Sequence, residues 1–376
     1  MARNQRDIVF ATFNLYNLQM PGVEMYPGGR PLSEAEFAEK IAWAGAALRR
    51  LDADVIGFQE LWSPDALRAV FAQAGLAEDY TLHFIKDGAW DGIAVAAAVR
   101  KPWEVTAQQR HKAFPEGFRL RKGKRSMADI QADPPQADLA AAESGPPPEE
   151  DPETLPSHED DGIEVIVREF SRSPLQLTLG HGTASRPGVP PIEVFCCHLK
   201  SKLPTRLDDA EYRDPAIRPH AAALGGALST IRRLAEAAAL RVILNDTMRR
   251  NDRPVVVLGD LNDGQFSSTL AVLSGQPSFR LFAASGAAKR SDDGLYASVA
   301  LQQLRSLGDV YYTHEFRNVR EVIDHVLVSE QFYAFSEKRL WAFREMRIYN
   351  DHVSEPQRAE TDHGLVRAAF DWLPAR

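Results

Sequence analysis

The chain has 376 residues, enough for one large α/β domain or two smaller ones, and 44% of them are hydrophobic, ample for a packed core. Its formal net charge of −8 argues at first against a polyanionic substrate. The acid is concentrated, however: residues 129–161 hold 11 Asp and Glu and no Lys or Arg, and the remainder carries 41 acids against 44 bases. Composition therefore allows a phosphate-rich substrate. Residues 1–7 lack the apolar core of a signal peptide and no apolar run approaches a membrane span, so the expectation is a cytoplasmic protein without stable membrane association. Nothing in the sequence points to a protein partner. Cys196 and Cys197 are adjacent, cannot bridge each other without strain and lack zinc-site spacing, so they read as small apolar groups on a buried strand.

In chain order, residues 7–13 read as a strand feeding a polar loop at Asn14. Ser33-Glu34-Ala35-Glu36 has the form of a capping box, and Phe37, Ile41, Ala44 and Leu48 follow at helical spacing. Residues 54–58 form a short apolar strand with Glu60 just past its end, and Ser63-Pro64 suits the start of the next helix. Residues 92–99 read as another buried strand.

The chain then changes character. A basic cluster at 119–125 runs into the acidic stretch and Pro146-Pro147-Pro148. Such a segment buries too little apolar surface to offset the entropy of ordering, so about 112–160 is expected to be an insertion with a flexible middle, inside a single domain spanning 1–376. Strands are expected again at 175–179 and 192–198. Pro219 opens a long amphipathic helix carrying Leu224, Leu228, Ile231, Ala235, Ala238 and Val242. The apolar run 254–259 delivers Asp260, and 321–328 and 364–370 read as the last strands. Strands at hairpin spacing mixed with long helices suggest packed sheets covered by helices.

The polar residues of interest share one context. Asn14, Glu60, Asp260 and Asn262 follow apolar strands, His198 ends one, and Asp362-His363 precedes one. Sheets gather such strand ends at a common rim. Taken singly, each is explained by a cap or turn, where Asp and Asn are favoured anyway. Together they supply a chemistry: oxygen ligands for a hard divalent cation, a base for water, and donors for charge developing on phosphorus.

Seven segments resemble the motifs of the endonuclease/exonuclease/phosphatase superfamily. They are Ala11-Thr12-Phe13-Asn14, Asp54-Val55-Ile56-Gly57-Phe58-Gln59-Glu60, Gly92-Ile93-Ala94-Val95, His198-Leu199-Lys200-Ser201, Gly259-Asp260-Leu261-Asn262, Ile323-Asp324-His325-Val326-Leu327-Val328-Ser329 and Thr361-Asp362-His363. The resemblance implies a four-layer α/β sandwich, two central mixed sheets flanked by helices, and Mg²⁺- or Mn²⁺-dependent attack of water on phosphorus. It implies that Glu60 is the principal metal carboxylate, with Asn14 and Asp362 at or near the metal. Asp260 would orient or deprotonate the water, and Asn262 would contact the phosphate. His198 and His363 would flank the scissile phosphate, with Asp324 paired to His363.

The sub-pattern Asn14-Leu15-Tyr16-Asn17-Leu18 with His198-Leu199-Lys200-Ser201-Lys202 resembles bacterial nuclease-like members, making nucleic acid the expected substrate. The alternative is a small phosphorylated metabolite or a lipid head group. Lys200 and Lys202 are candidate phosphate contacts, the rival reading being ordinary exposed lysines. His325, His220 and Asn17 read as structural, and the basic cluster at 119–125 as a solvated flank.

Overall fold

The computed structural model describes residues 4, 6–86, 92–121, 164–181, 188–249, 251–277, 294–306, 311–354 and 359–373. In chain order the strands are β1 (Ile8–Leu18), β2 (Val55–Leu61), β3 (Tyr80–Phe84), β4 (Ala94–Arg100), β5 (Trp103–Arg110), β6 (Leu120–Arg121), β7 (Glu164–Val165) and β8 (Leu175–His181). They continue with β9 (Ile192–His198), β10 (Val255–Asp260), β11 (Tyr296–Ala297), β12 (His314–Phe316), β13 (Val319–Glu321), β14 (Asp324–Val328), β15 (Trp341–Tyr349) and β16 (Leu365–Trp372). The helices are α1 (Glu34–Leu51), α2 (Pro64–Ala74), α3 (Asp209–Arg213), α4 (Ala221–Met248), α5 (Ser268–Ser274) and α6 (Ser298–Gln303).

Two mixed six-stranded sheets flanked by helices result, in the orders β15-β16-β1-β2-β4-β3 and β11-β14-β10-β9-β8-β5. The sandwich expected from the sequence is therefore present. By internal contacts Met1–Pro115 and Arg168–Arg376 form one unit and Glu116–Val167 another. Within the second unit β6 and β7 pair antiparallel, Leu120 opposite Val165. Residues 122–163, most of the expected insertion and of the basic cluster, lie outside the described residues.

Alternation along β1 explains how both faces of the first sheet are buried. Ile8 and Phe10 pack with Leu177, Val194, Cys196 and Leu258 of the second sheet, while Val9, Ala11 and Phe13 pack with Phe37, Leu48, Leu67 and Phe71 of α1 and α2. Those helices start where the sequence predicts. Ser33 and Glu36 form the capping box on α1, and Ser63 caps α2 with Pro64 in its first turn.

Helix α4 departs from expectation. Its proposed apolar stripe is largely turned outward, with Leu224, Leu228, Ile231 and Val242 exposed, whereas Gly225, Ser229, Arg233 and Glu236 are buried. The inward face is chosen by hydrogen bonds as well as apolar contact: Glu236 accepts from the N–H groups of Ser171 and Lys200, and Arg233 donates to Asp263.

The sheets place the ends that matter. Parallel β9 and β10 put His198 beside Asp260, and antiparallel β10 and β14 put Asp324 on its other side. In the first sheet, β1 and β2 run parallel, and both are longer than predicted. Asn14 and Glu60 lie inside these strands, where the register shifts between Asn14 and Leu18; bulges of this kind re-aim side chains. The predicted strand at 321–328 divides into the hairpin strand β13 and the core strand β14.

Gly259 explains the first position of the Gly-Asp-Leu-Asn segment. Its φ is +149°, and a Cβ there would lie 2.0 Å from the carbonyl oxygen of Cys197 on the adjacent strand. Gly259→Ala is expected to lower unfolding stability by about 3 kcal/mol or more, through backbone strain and overpacking together. Urea denaturation checks this; a loss below about 1 kcal/mol would mean that the strands separate freely at this point.

Candidate active site

The Asp260 carboxylate is buried at the end of β10 and is the hub of the site. Its Oδ1 accepts the Asn262 backbone N–H at 2.8 Å, and its Oδ2 accepts the Asn262 side-chain amide at 3.1 Å and the Asn14 amide at 3.3 Å. His198 Nε2 lies 3.5 Å and His363 Nε2 4.0 Å from the same oxygen. Asn262 adopts φ +54°, a left-handed conformation that Asn tolerates, and its amide also donates to the Leu199 carbonyl at 3.1 Å.

Asn14 links the two sheets. Besides Asp260, its amide nitrogen lies 3.2 Å from Glu60 Oε1 and 3.4 Å from His363 Nε2, while its oxygen accepts the Tyr16 N–H. Glu60 Oε2 accepts the backbone N–H of Asn17 at 3.1 Å. His363 Nδ1 pairs with Asp324 Oδ2 at 2.8 Å, and its Nε2 is 3.9 Å from Asp362 Oδ1. Thus Asn14, Glu60, His198, Asp260, Asn262, Asp324, Asp362 and His363 converge, drawn from five strands, the loop after β10 and the turn before β16.

Lys200 and Lys202 stand apart from this cluster. Lys202 Nζ is paired with Glu321 at 2.6 Å and Asp263 at 3.6 Å, and Lys200 Nζ bonds back to its own loop at Ser201 and Leu203. His325 has a structural partner, the Asp263 carbonyl at 2.9 Å, and His220 caps nothing with its side chain.

Burial and charge set opposite states for the two histidines. Burial, helped by the positive Arg172 and His363 nearby, holds His198 well below its ordinary range and therefore neutral. Burial also disfavours a charged His363, but Asp324 and Asp260 outweigh it and raise that imidazole well above its ordinary range. Burial pushes Asp260 up to about 7, with His363 opposing, and burial likewise raises Glu60 despite His363 and Asn14.

Several groups near the site carried no signal in the sequence. Lys40, on the buried side of α1, feels the charges of Glu60 and Asp362, yet burial lowers its ammonium to about 8. Arg172 donates to the Leu199 carbonyl at 3.1 Å and acts electrostatically on both Glu60 and His198. Asn17 reaches Glu60 through its backbone, which no side-chain motif records. A lone Lys in an amphipathic helix and a lone Arg before a strand belong to no recognisable pattern; only Asn17, adjacent to a motif, offered a hint.

The donor set fits a hard divalent cation. Glu60, His198 and Asp260 offer ligand atoms within 4.8 Å of one another, as do Asp260, Asp324 and His363, and also His314, Asp362 and His363. Asp362 Oδ1 and Asp324 Oδ1 are buried without a hydrogen-bond partner. Four carboxylates supply the oxygen donors that Mg²⁺-like ions prefer, alongside three imidazoles, and a cation would stabilise the desolvated carboxylates of Glu60 and Asp260.

Residues 164–363, more than half of the chain, match the model of the endonuclease/exonuclease/phosphatase family. The chain belongs to that family. Among solved structures, humanized TDP2 from D. rerio is similar over 97% of this chain and 99% of that one, at 12% identity and a TM-score of 0.50, a likeness of fold. A family protein from Bacteroides vulgatus is similar over 98% of this chain and 100% of that one, at 14% identity and a TM-score of 0.46. None of the curated proteins matches the sequence. The family, as its description states, comprises endonucleases, exonucleases and phosphatases, which are hydrolases of phosphoric esters. Among the described residues, no helix of this family member is long and apolar enough to cross a membrane.

The raised Asp260 pKa gives the metal-free protein a distinctive pH dependence. The folded state retains a proton on Asp260 that the unfolded chain releases near 3.8, so this contribution to stability is full below that pH and is lost as pH rises toward about 7. In EDTA, Asp260→Asn is expected to remove most of a decline worth up to about 4 kcal/mol between pH 4 and 7.5. Urea unfolding at stepped pH measures it; identical slopes for both proteins would show that Asp260 titrates normally.

Proposed function

We propose that this protein hydrolyses phosphodiester bonds with a divalent cation, and that its substrate is nucleic acid. The observation that carries the reading is the convergence on Asp260 of Glu60, a neutral His198 and a charged His363 backed by Asp324. A bound Mg²⁺ or Mn²⁺ supplies charge neutralisation at the phosphoryl oxygens.

Glu60 and Asp362 are the residues assigned to hold the cation, with Asn14 orienting Glu60 through its amide. Asp260 takes a proton from the attacking water, a task suited to a carboxylate whose pKa approaches the working pH. Asn262 fixes the direction of that carboxylate by two hydrogen bonds, and to meet the phosphate its amide would exchange the bond it makes to the Leu199 carbonyl. His363, kept cationic by Asp324, donates to the charge developing on phosphoryl oxygen. His198 stands on the other side of Asp260, and the leaving oxygen is protonated in the neighbourhood of these two imidazoles.

The choice of nucleic acid rests on charge. Outside residues 129–161 bases exceed acids, and Arg172 lies close enough to act on Glu60 and His198.

Hydrolysis of plasmid DNA, single-stranded RNA, bis-p-nitrophenyl phosphate and sphingomyelin, each with and without EDTA, separates the substrate classes. The expected outcome is metal-dependent cleavage of a nucleic acid, with Glu60→Ala and His198→Ala each losing about 100-fold or more. Activity that survives both substitutions would contradict the mechanism. Turnover of sphingomyelin alone would move the substrate to a lipid head group.

A further inference from the structure

Beside Glu60 stands an aromatic structure that the hydrolytic chemistry does not use. Tyr16 and Asn17 are consecutive non-glycine residues in left-handed conformation, φ +49° and +59°. Asn tolerates such backbone, but for Tyr16 it is sparsely populated and persists where neighbours enforce it. Here the enforcement comes from Asn17. Its N–H is held by Glu60, and its side-chain oxygen accepts both the Tyr26 hydroxyl at 3.0 Å and the Trp62 indole N–H at 2.9 Å.

One amide oxygen therefore fixes two rings, which meet edge to face with centroids 4.9 Å apart and planes at 80°. Yet the rings are not core. Tyr26 is 51% exposed, on a loop, and Trp62 is only half-buried. Ordering a large aromatic side chain without burying it leaves a ring face available, and loops held by a rigid scaffold commonly carry binding groups. Tyr16 is occupied differently, with the Lys40 ammonium 5.4 Å from its ring centroid.

We propose that Tyr26 and Trp62, anchored through Asn17 to Glu60, form a stacking wall for one unpaired nucleobase next to the scissile phosphate. The inference rests on the nucleic-acid reading given above and sharpens it: the preferred substrate is a single strand or a locally opened duplex. A ligand that presents a phosphate to the acidic cluster and a flat ring to the adjacent wall is a nucleotide unit. Base–aromatic stacking is worth about 1–3 kcal/mol per base, roughly 5- to 150-fold in affinity. Arg172 adds positive charge that is felt by both Tyr26 and Glu60.

The test uses single-stranded oligonucleotides in which one tetrahydrofuran abasic residue is moved stepwise past the main cleavage position. Tyr26→Ala is expected to lower kcat/KM on the intact strand by about 5- to 100-fold, and Tyr26→Phe to retain most of it. With the abasic residue at the stacked position, the Tyr26→Ala penalty should vanish, which also shows that the variant is folded. A second readout needs no cation: in EDTA, 2-aminopurine at that position should be quenched by the wild type and by Tyr26→Phe but not by Tyr26→Ala. A penalty equal at every abasic position, or quenching that ignores the ring, would overturn the stacking wall alone. Hydrolysis of other phosphodiesters with no cleavage of any nucleic acid would overturn the substrate reading and the wall together.

Discussion

Burying the Asp260 carboxylate between two sheets is the constraint that the surrounding structure serves. A desolvated carboxylate is costly unless its oxygens are satisfied, and here the partners come from several elements: Asn262 from its own loop, Asn14 from the other sheet, and imidazoles from the ends of β9 and the turn before β16. Each partner must arrive at the correct strand end, so the register of both sheets is tied to a single carboxylate. Gly259 belongs to the same constraint, because only the absence of a side chain lets β10 approach Cys197 closely enough to deliver Asp260 beside His198.

Charge is partitioned across this hub. Two histidines within reach of one carboxylate differ in state because only His363 has a second acid at hydrogen-bond distance. Asp324 is itself positioned by backbone register, opposite Asp260 on β14, and its N–H donates to the Thr313 hydroxyl. The difference between an imidazolium and a neutral imidazole is thus written into strand pairing, with no loop rearrangement required.

Much of this was legible because strand ends advertise themselves: an apolar run stops, and a polar residue follows. Asp260 and His198 stand out that way, whereas Asp324, inside an expected strand, is pointed to only by the family resemblance; pairing places all three in one row. Glu60 and Asn14 were found as residues but misplaced as loop positions, since bulges with left-handed residues leave no periodic trace. The outward stripe on α4 misled for another reason. Hydropathy weighs side chains and ignores hydrogen bonds, whereas Glu236 and Arg233 hold the inward face by bonds to backbone and to Asp263. Lys40 and Arg172 act through space on residues far away in sequence, which no local pattern encodes.

The base of the segment between β5 and β8 has a consequence of its own. Phe114 N–H donates to the Arg168 carbonyl at 2.8 Å and Phe170 N–H to the Lys112 carbonyl at 3.0 Å, with the two rings packed edge to face at 4.8 Å. The chain therefore leaves the unit formed by Met1–Pro115 and Arg168–Arg376 and returns to it through this clasp. Loop-closure entropy grows only logarithmically with length, so doubling such a segment costs about 0.6 kcal/mol. A longer, shorter or differently charged segment would thus add little to the entropy cost of closing the chain at this clasp.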